Sequence, residues 1–370
     1  MWPRQCVQTR LKFDCRKGFP RNPNHSAIHS NRTHAMASET IVTCFPLSES
    51  DADTIRSVAA EKFDVIVANQ ETISEDIFRA DVFCGHAKVP VDWDGVVSNG
   101  KLKWIQSSAA GLDHCLVSPV VDSNILVSGC SGLFAPQVGE QMMSLLMGLI
   151  RRGSVFFKAQ QSKQFVRRPT DNLFGKTIGI AGLGGNGQRI AHILRPMVNR
   201  IIATDCFVDC AKDLINNGVV DQILPAARLD EMLPEIDVLI ITLPLSASNE
   251  NLIGKQQFDL LKPGAYVINV GRGSVVETQS MIDALSNGRL GGAGLDVVEP
   301  EPLPPSSPLW EMDNVIISPH VGAQSPLRIP VTIDLFCENI KRFLEGKSLL
   351  NQVDKTLGFP LPEHRIPFSW

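Results

Sequence analysis

No CxxC pair occurs among the nine cysteines, which are spread from Cys6 to Cys337, and the nearest two, Cys206 and Cys210, have no His or Cys cluster beside them. Zinc sites and disulfide frameworks depend on such spacing, so the cysteines read as free thiols of a reducing compartment. The eight histidines form no HExxH or comparable pattern, and no metal is expected. Long hydrophobic runs are missing too. The longest, Met142 to Ile150, is bounded by Glu140 and Arg151, far short of the ~20 residues a bilayer-spanning helix needs. The net charge is only −4, and no basic stripe runs between Glu39 and the C-terminus, which leaves no electrostatic footprint for a phosphate backbone. Neither a membrane nor a nucleic acid is an expected partner. Internal repeats and low-complexity tracts are also lacking.

What remains is an ordinary globular composition, 370 residues with 44% apolar and 20% charged, long enough for two domains. The charge is unevenly placed: residues 1–35 hold seven Lys/Arg against the single acid Asp14, with Pro3, Pro20, Pro23 and three histidines. Lacking helical apolar spacing, this head cannot bury a hydrophobic face and is expected to be a disordered basic extension. Met36-Ala-Ser-Glu reads as a plausible true start; organelle targeting is the alternative use of the head.

From Thr40 onward short apolar runs alternate with helical patterns: Ile41–Cys44, a helix around Ala52–Lys62, then Asp64–Ala68, Asp81–Cys84 and Leu102–Gln106. A second series runs through Lys176–Ala181, Arg200–Thr204, Asp237–Leu243, Tyr266–Val270, Gly294–Val298 and Val315–Ser318. Alternation of this kind specifies parallel α/β sheets, and the nearly continuous apolar runs predict strands covered by helices on both faces, a doubly wound architecture. Gln137–Arg152 is an apolar helix able to carry the chain from one series to the other. Val331–Leu344 repeats its apolar positions near the helical period and so faces a core. The last twenty residues, with three prolines, are expected to be irregular.

Gly182-Leu183-Gly184-Gly185-Asn186-Gly187 is a GxGxxG, weak by itself. Here it follows an apolar strand, opens the helical pattern Gln188–Met197 and precedes a strand ending in Asp205, eighteen residues after Gly187. That context completes a dinucleotide-binding fingerprint. Gly182 permits the tight turn, Gly184 lets the backbone approach a pyrophosphate, and Gly187 lets helix pack on strand, with the phosphates at the helix N-terminus. Asp205 can accept hydrogen bonds from both ribose hydroxyls and would repel a 2′-phosphate, which favours NAD over NADP.

The reacting groups of such a sheet lie at the carboxyl ends of its strands. Asn269 to Ser274 carries Arg272, Asp296 to Pro302 carries Glu299 and Glu301, and Ser318 to Ala323 carries His320. The arginine fork can hold a carboxylate and polarise the adjacent C2 oxygen. Histidine can exchange a proton with that oxygen, and a carboxylate against the imidazole would orient it. The three together suit hydride transfer beside a carboxylate.

These stretches resemble the D-isomer-specific 2-hydroxyacid dehydrogenase family over about residues 40–355. The resemblance rests on Gly182–Gly187 with Asp205, Leu260 to Gly273, Gly294-Leu295-Asp296-Val297 with Glu301 five residues after the Asp, and Pro319-His320. It implies catalytic roles for Arg272, Glu301 and His320, with Glu299 in reserve. It places the substrate carboxylate on backbone N–H groups of Ala109, Ala110 and Gly111, together with Arg272. It further implies that Gly185, Asn186, Thr242, Leu243, Pro244, Val270, Gly271, Asp296 and Gly322 belong with the glycine loop to the cofactor site. The implied fold is two Rossmann-like domains. A discontinuous, flavodoxin-like substrate domain takes 36–134 and 325–353, an NAD domain takes 135–324, and 354–370 forms a tail. Hinges fall near Ala135–Gly139 and Gly322–Ser325, and a cytoplasmic homodimer is implied, with Gln141–Ile150 a candidate contact.

Gly129-Cys130-Ser131-Gly132-Leu133-Phe134 stands where many relatives carry an Asn-containing loop, and the regulatory extension of some phosphoglycerate dehydrogenases has no counterpart. With no extra Lys/Arg cluster near 107–114, glyoxylate or hydroxypyruvate is favoured over 3-phosphoglycerate as the substrate. The competing reading is an NAD(H)-sensing module of corepressor type. A formate dehydrogenase would pair its histidine with Gln, which Glu301 disfavours.

Overall fold

The computed structural model describes residues 38–59 and 62–367. The expectations for the basic head and for a start at Met36 lie outside the described residues. Within them, two parallel sheets form. The first contains β1 (Glu39–Cys44), β2 (Phe63–Val67), β3 (Val82–Gly85), β4 (Trp104–Ser107) and β5 (Leu126–Ser128) in the order β2-β1-β3-β4-β5, the flavodoxin-like sequence. The second contains β6 (Thr177–Ala181), β7 (Arg200–Asp205), β8 (Gln222–Pro225), β9 (Val238–Ile241), β10 (Ala265–Asn269), β11 (Leu290–Leu295) and β12 (Val315–Ile317), ordered β12-β11-β10-β9-β6-β7-β8. Both are Rossmann-like and doubly wound. Among the described residues, no helix is long and apolar enough to cross a membrane.

The central strands are buried because helices cover both faces: every residue of β3, β4 and β9 is buried. Each large apolar side chain so enclosed contributes on the order of 2 kcal/mol of transfer free energy. The helix Arg328–Leu344 returns to the first sheet, where Ile333, Phe336 and Ile340 pack with Ile41, Ile55 and Trp104. A buried polar chain fixes it there: Trp104 Nε1 donates to Ser128 Oγ at 2.8 Å, Ser128 Oγ to Gln106 Oε1 at 2.7 Å, and Asn339 Nδ2 to the same oxygen at 2.9 Å. The helix Ala135–Ile150 carries the chain from β5 toward the second sheet, burying Met142, Leu145, Leu146 and Leu149 in its core. The apolar face expected as a candidate dimer contact is therefore covered by its own subunit.

Three expectations need correction. The second sheet has seven strands rather than six, because β8 contributes only the short Gln-Ile-Leu-Pro. β11 begins at Leu290, four residues ahead of the expected start, since Gly291 and Gly292 hide its apolar run. The tail is not irregular throughout: β13 (Val353–Asp354) and β14 (Phe359–Pro360) pair antiparallel, and a 3-10 turn covers Pro362–His364.

Candidate active site

A cleft of about 660 Å³ runs between the two sheets. One wall is the turn after β6. Gly182 holds φ +95°, which only glycine takes without strain, and a Cβ on Gly187 would stand 2.0 Å from Gly182 O. A Cβ on Gly184, by contrast, would meet no protein atom within 4 Å. The backbone is thus bare toward the cleft where the helix Gly185–Leu194 begins, with Gly185, Asn186 and Gly187 also on the wall. This cradle, at the positive end of a ten-residue helix, fits the pyrophosphate of a dinucleotide.

Asp205 closes β7, lines the same cleft and is 8% exposed. Oδ2 accepts from Leu183 N at 2.7 Å and Oδ1 from Phe207 N at 2.8 Å. Oδ1 also takes the Cys206 thiol at 3.7 Å, and Oδ2 keeps a further lone pair for a ligand hydroxyl. Thr242 Oγ1 donates to Gly182 O at 2.7 Å, tying the end of β9 to the glycine turn. Thr242, Leu243, Pro244, Val270 and Gly271 follow along the wall. A Cβ on Gly271 would lie 2.6 Å from Leu243 O.

Three adjacent strand ends carry the titratable groups, of which Arg272 lines the cleft. After β10, Asn269 Oδ1 accepts Gly271 N at 3.0 Å and its Nδ2 donates to Arg272 O at 2.9 Å, fixing the turn that presents Arg272. Arg272 Nε donates to Asp113 Oδ2 at 3.1 Å, reaching from the second sheet to the first. Its Nη2 lies against Gly111, where a Cβ would stand 1.1 Å away. After β11 and β12, His320 Nδ1 sits 2.9 and 3.2 Å from the two oxygens of Glu301. Among the described residues Nε2 of His320 has no hydrogen-bond partner. Glu299 is turned elsewhere, its Oε2 accepting from Ser274 Oγ at 2.5 Å. The reserve acid does not meet the histidine.

Some expected site residues hold the machinery together rather than face the cleft. Asp296 is 3% exposed, and its carboxylate accepts Ser318 Oγ at 2.7 Å, Val321 N at 3.0 Å and Gly322 N at 2.8 Å. Its carbonyl accepts His320 N at 2.8 Å. Asp296 and Gly322 thus form a clamp under the His320 turn, instead of the cofactor wall expected of them. The clamp holds His320 at φ +54°, an uncommon conformation for a side chain of this size. Ala109 is likewise off the wall: its N–H donates to Ser107 Oγ at 3.0 Å. Ala110 and Gly111 do line the cleft, and among the described residues their N–H groups have no protein acceptor.

Beneath that loop lies a feature sequence reasoning missed. His86 and His114 stack with ring centroids 3.9 Å apart, and His114 Nε2 is 3.3 Å from Ser107 Oγ. Burial, then the neighbouring His86, lowers the His114 pKa to about 3. Burial also lowers His86, aided by the charges of Lys88, Arg328 and Arg272. These cations come from three separate segments, so no spacing could have revealed them. Ser131 and Gly132 from the Gly129–Phe134 loop, the segment Leu245–Asn249, and Lys355 to Pro360 with Arg365 from the tail also line the cleft.

Residues 143–322 match the model of the D-isomer specific 2-hydroxyacid dehydrogenase NAD-binding domain. The chain is 30% identical over 257 residues to a glyoxylate reductase of Thermofilum pendens, covering 66% of this chain and 73% of that one. It is 28% identical over 316 residues to a D-3-phosphoglycerate dehydrogenase of Methanocaldococcus jannaschii, with 85% of this chain but only 59% of that one matched. Among solved structures, the NADPH-dependent glyoxylate/hydroxypyruvate reductase of Sinorhizobium meliloti, in complex with NADP and sulfate, aligns with TM-score 0.70 and 26% identity, over 87% of this chain and 99% of that one. Likeness that extends through both sheets and the cleft between them gives the chain its family: it belongs to the D-isomer specific 2-hydroxyacid dehydrogenases, oxidoreductases that act on CH–OH donors with a nicotinamide dinucleotide.

Proposed function

We propose that the protein is an NAD(H)-preferring reductase of a small 2-oxo acid, glyoxylate or hydroxypyruvate, with His320 as general acid and base. The observation that carries this reading is the His320–Glu301 pair, 2.9 Å at its shorter contact. Holding Nδ1 on a carboxylate fixes the ring and leaves Nε2 to exchange a proton with the substrate's C2 oxygen. Arg272 and the unpaired N–H groups of Ala110 and Gly111 hold the substrate carboxylate. Bound NAD(H) supplies the hydride exchanged with C2. The glycine cradle binds its pyrophosphate, and Asp205 accepts from the ribose hydroxyls, disfavouring a 2′-phosphate. We further propose that the enzyme works in the cytoplasm as a homodimer. Support for the second copy comes from Phe157, Phe165 and Phe174, 67%, 92% and 89% exposed beside the long helix of the NAD-binding domain.

The test is oxidation of NADH and NADPH by the purified protein with glyoxylate, hydroxypyruvate, pyruvate, 2-oxoglutarate and phenylpyruvate. Turnover with glyoxylate or hydroxypyruvate at the highest kcat/KM is the expected result. 3-Phosphohydroxypyruvate belongs in the panel, because Lys88 and Arg328 add positive charge beside His86. A clear preference for the phosphorylated acid would move the assignment to the phosphoglycerate reading. Tight NADH binding without turnover of any acid would favour a sensing module instead. Replacing His320 with Ala should lower kcat by about 10²–10⁴-fold while leaving NADH affinity within about threefold; undiminished turnover would remove it from the proton step.

A further inference from the structure

The segment after the last long helix does not end on the domain where it starts. Gln352 bridges Ser128 at the end of β5, and Lys355 Nζ donates to Val120 O at 3.0 Å, anchoring the segment to the first sheet. It then crosses to the second, where the Phe359 ring meets Phe207 edge-on at 6.2 Å. Ile366 joins the core of that domain, its N–H donating to Asn351 Oδ1 at 3.1 Å. Residues 355–360 and Arg365 thereby line the same cleft as the glycine turn.

Arg365 of this segment stands against Phe207, just beyond the end of β7. Its Nε donates to Pro360 O at 3.3 Å, and its Cζ lies 5.3 Å from the centroid of Phe207, two residues beyond Asp205. The Cys206 thiol registers both charges: burial raises its pKa most, Asp205 raises it further, and Arg365 pulls it down. Among the described residues no carboxylate forms an ion pair with Arg365. A planar guanidinium without a carboxylate partner, facing a cleft at the strand end where the adenosine ribose belongs, suits a phosphate group.

We infer that Arg365 sets dinucleotide selectivity: its guanidinium binds the 2′-phosphate of NADP(H) and offsets the exclusion that Asp205 imposes. The inference rests on the dinucleotide reading of the cleft. NAD(H) then remains preferred, and Arg365 determines how far NADP(H) is accepted. A purely structural role, through Phe207 and Pro360, would affect both dinucleotides alike.

The experiment is titration of the full chain with NADH and NADPH, and displacement of NADH by AMP and by adenosine 2′,5′-bisphosphate, in the wild type, Arg365→Ala and Arg365→Lys. Losing a charge-assisted bond to phosphate should raise the NADPH Kd of Arg365→Ala about tenfold or more, with NADH changed less than about twofold. Arg365→Lys keeps the charge and should hold NADPH affinity within about threefold of the wild type. Equal weakening of both dinucleotides, an unchanged NADPH Kd, or a wild type that binds NADH but no NADPH at about 1 mM would each overturn the inference. Should Arg365→Ala lose its native circular dichroism, the wild type decides. Adenosine 2′,5′-bisphosphate displacing NADH with an affinity within about tenfold of that of AMP supports the inference, and no displacement at about 1 mM overturns it. A folded wild type that binds neither dinucleotide would instead overturn the dinucleotide reading itself.

Discussion

Gly111 shows how one missing side chain shapes the site. A methyl group there would occupy the position of Arg272 Nη2, 1.1 Å from an ideal Cβ. The obstacle is the far end of a flexible side chain, so Gly111→Ala should displace the guanidinium rather than unfold the protein. The expected outcome is a KM for the 2-oxo acid raised about tenfold or more, the loss of a charge-assisted contact, with Tm nearly unchanged; thermal scans and steady-state kinetics check both. His114 gives a pH dependence of stability. The unfolded residue takes up a proton near its ordinary value of about 6.5, the folded one only near about 3. Between these values the unfolded chain binds more protons, so stability falls as pH drops through that window and is fully retained above it. His86, lowered in the same direction, adds to the slope. His114→Phe preserves a ring to stack and should flatten the fall in Tm between pH 6.5 and 4; an unaltered slope would assign the loss to other groups.

The turn after β12 illustrates an element held from below. Asp296 follows β11 and gathers two backbone N–H groups and a hydroxyl from the next strand's loop. Asp296→Ala leaves those buried donors without an acceptor, which should cost about 2–4 kcal/mol and lower Tm by several degrees. It should also lower kcat more than it raises the NADH Kd, because His320 loses its posture. A Tm within a degree of wild type would mean that the turn is held by something else. In the sequence Asp296 looked like a cofactor ligand, since its place at a strand end was legible and the direction of its carboxylate was not. Strand existence was readable wherever apolar residues ran together, as in β7 and β9. It failed for β8, four residues ending in proline, and for β5, three residues long, because their burial comes from neighbours rather than from their own pattern. Glu301, Arg272 and His320 were legible because each follows a recognisable strand. The His86–His114 stack was not, since it joins residues from the ends of β3 and β4 that no local spacing relates.

At the scale of the whole molecule, the site exists only where two sheets meet. The Arg272–Asp113 ion pair, 3.1 Å long, spans them, as does the tail from Lys355 to Arg365. Such a cleft suits closure around a substrate to exclude water. The exposed phenylalanines lie outside it, on residues 153–175, so Phe165→Glu should shift the mass measured by light scattering from dimer to monomer; an unchanged mass would place the dimer contact elsewhere or show that none forms there. The sequence alone gave no access to the tail's course, because prolines and single aromatics carry no period and their partners lie some 150 residues earlier.

The return of helix Arg328–Leu344 to the first sheet has a further consequence, for synthesis. Domains commonly fold in the order in which the ribosome delivers them. Here the first sheet cannot, since Trp104 and Ile55 wait for Phe336 and Phe343, which follow the whole second sheet in the chain. The interior domain has its whole sheet, from Thr177 to Ile317, before that helix is made. Translation therefore presents a complete second sheet to an unfinished first domain, and chaperones that guard nascent chains would meet the N-terminal sheet with its apolar face still bare.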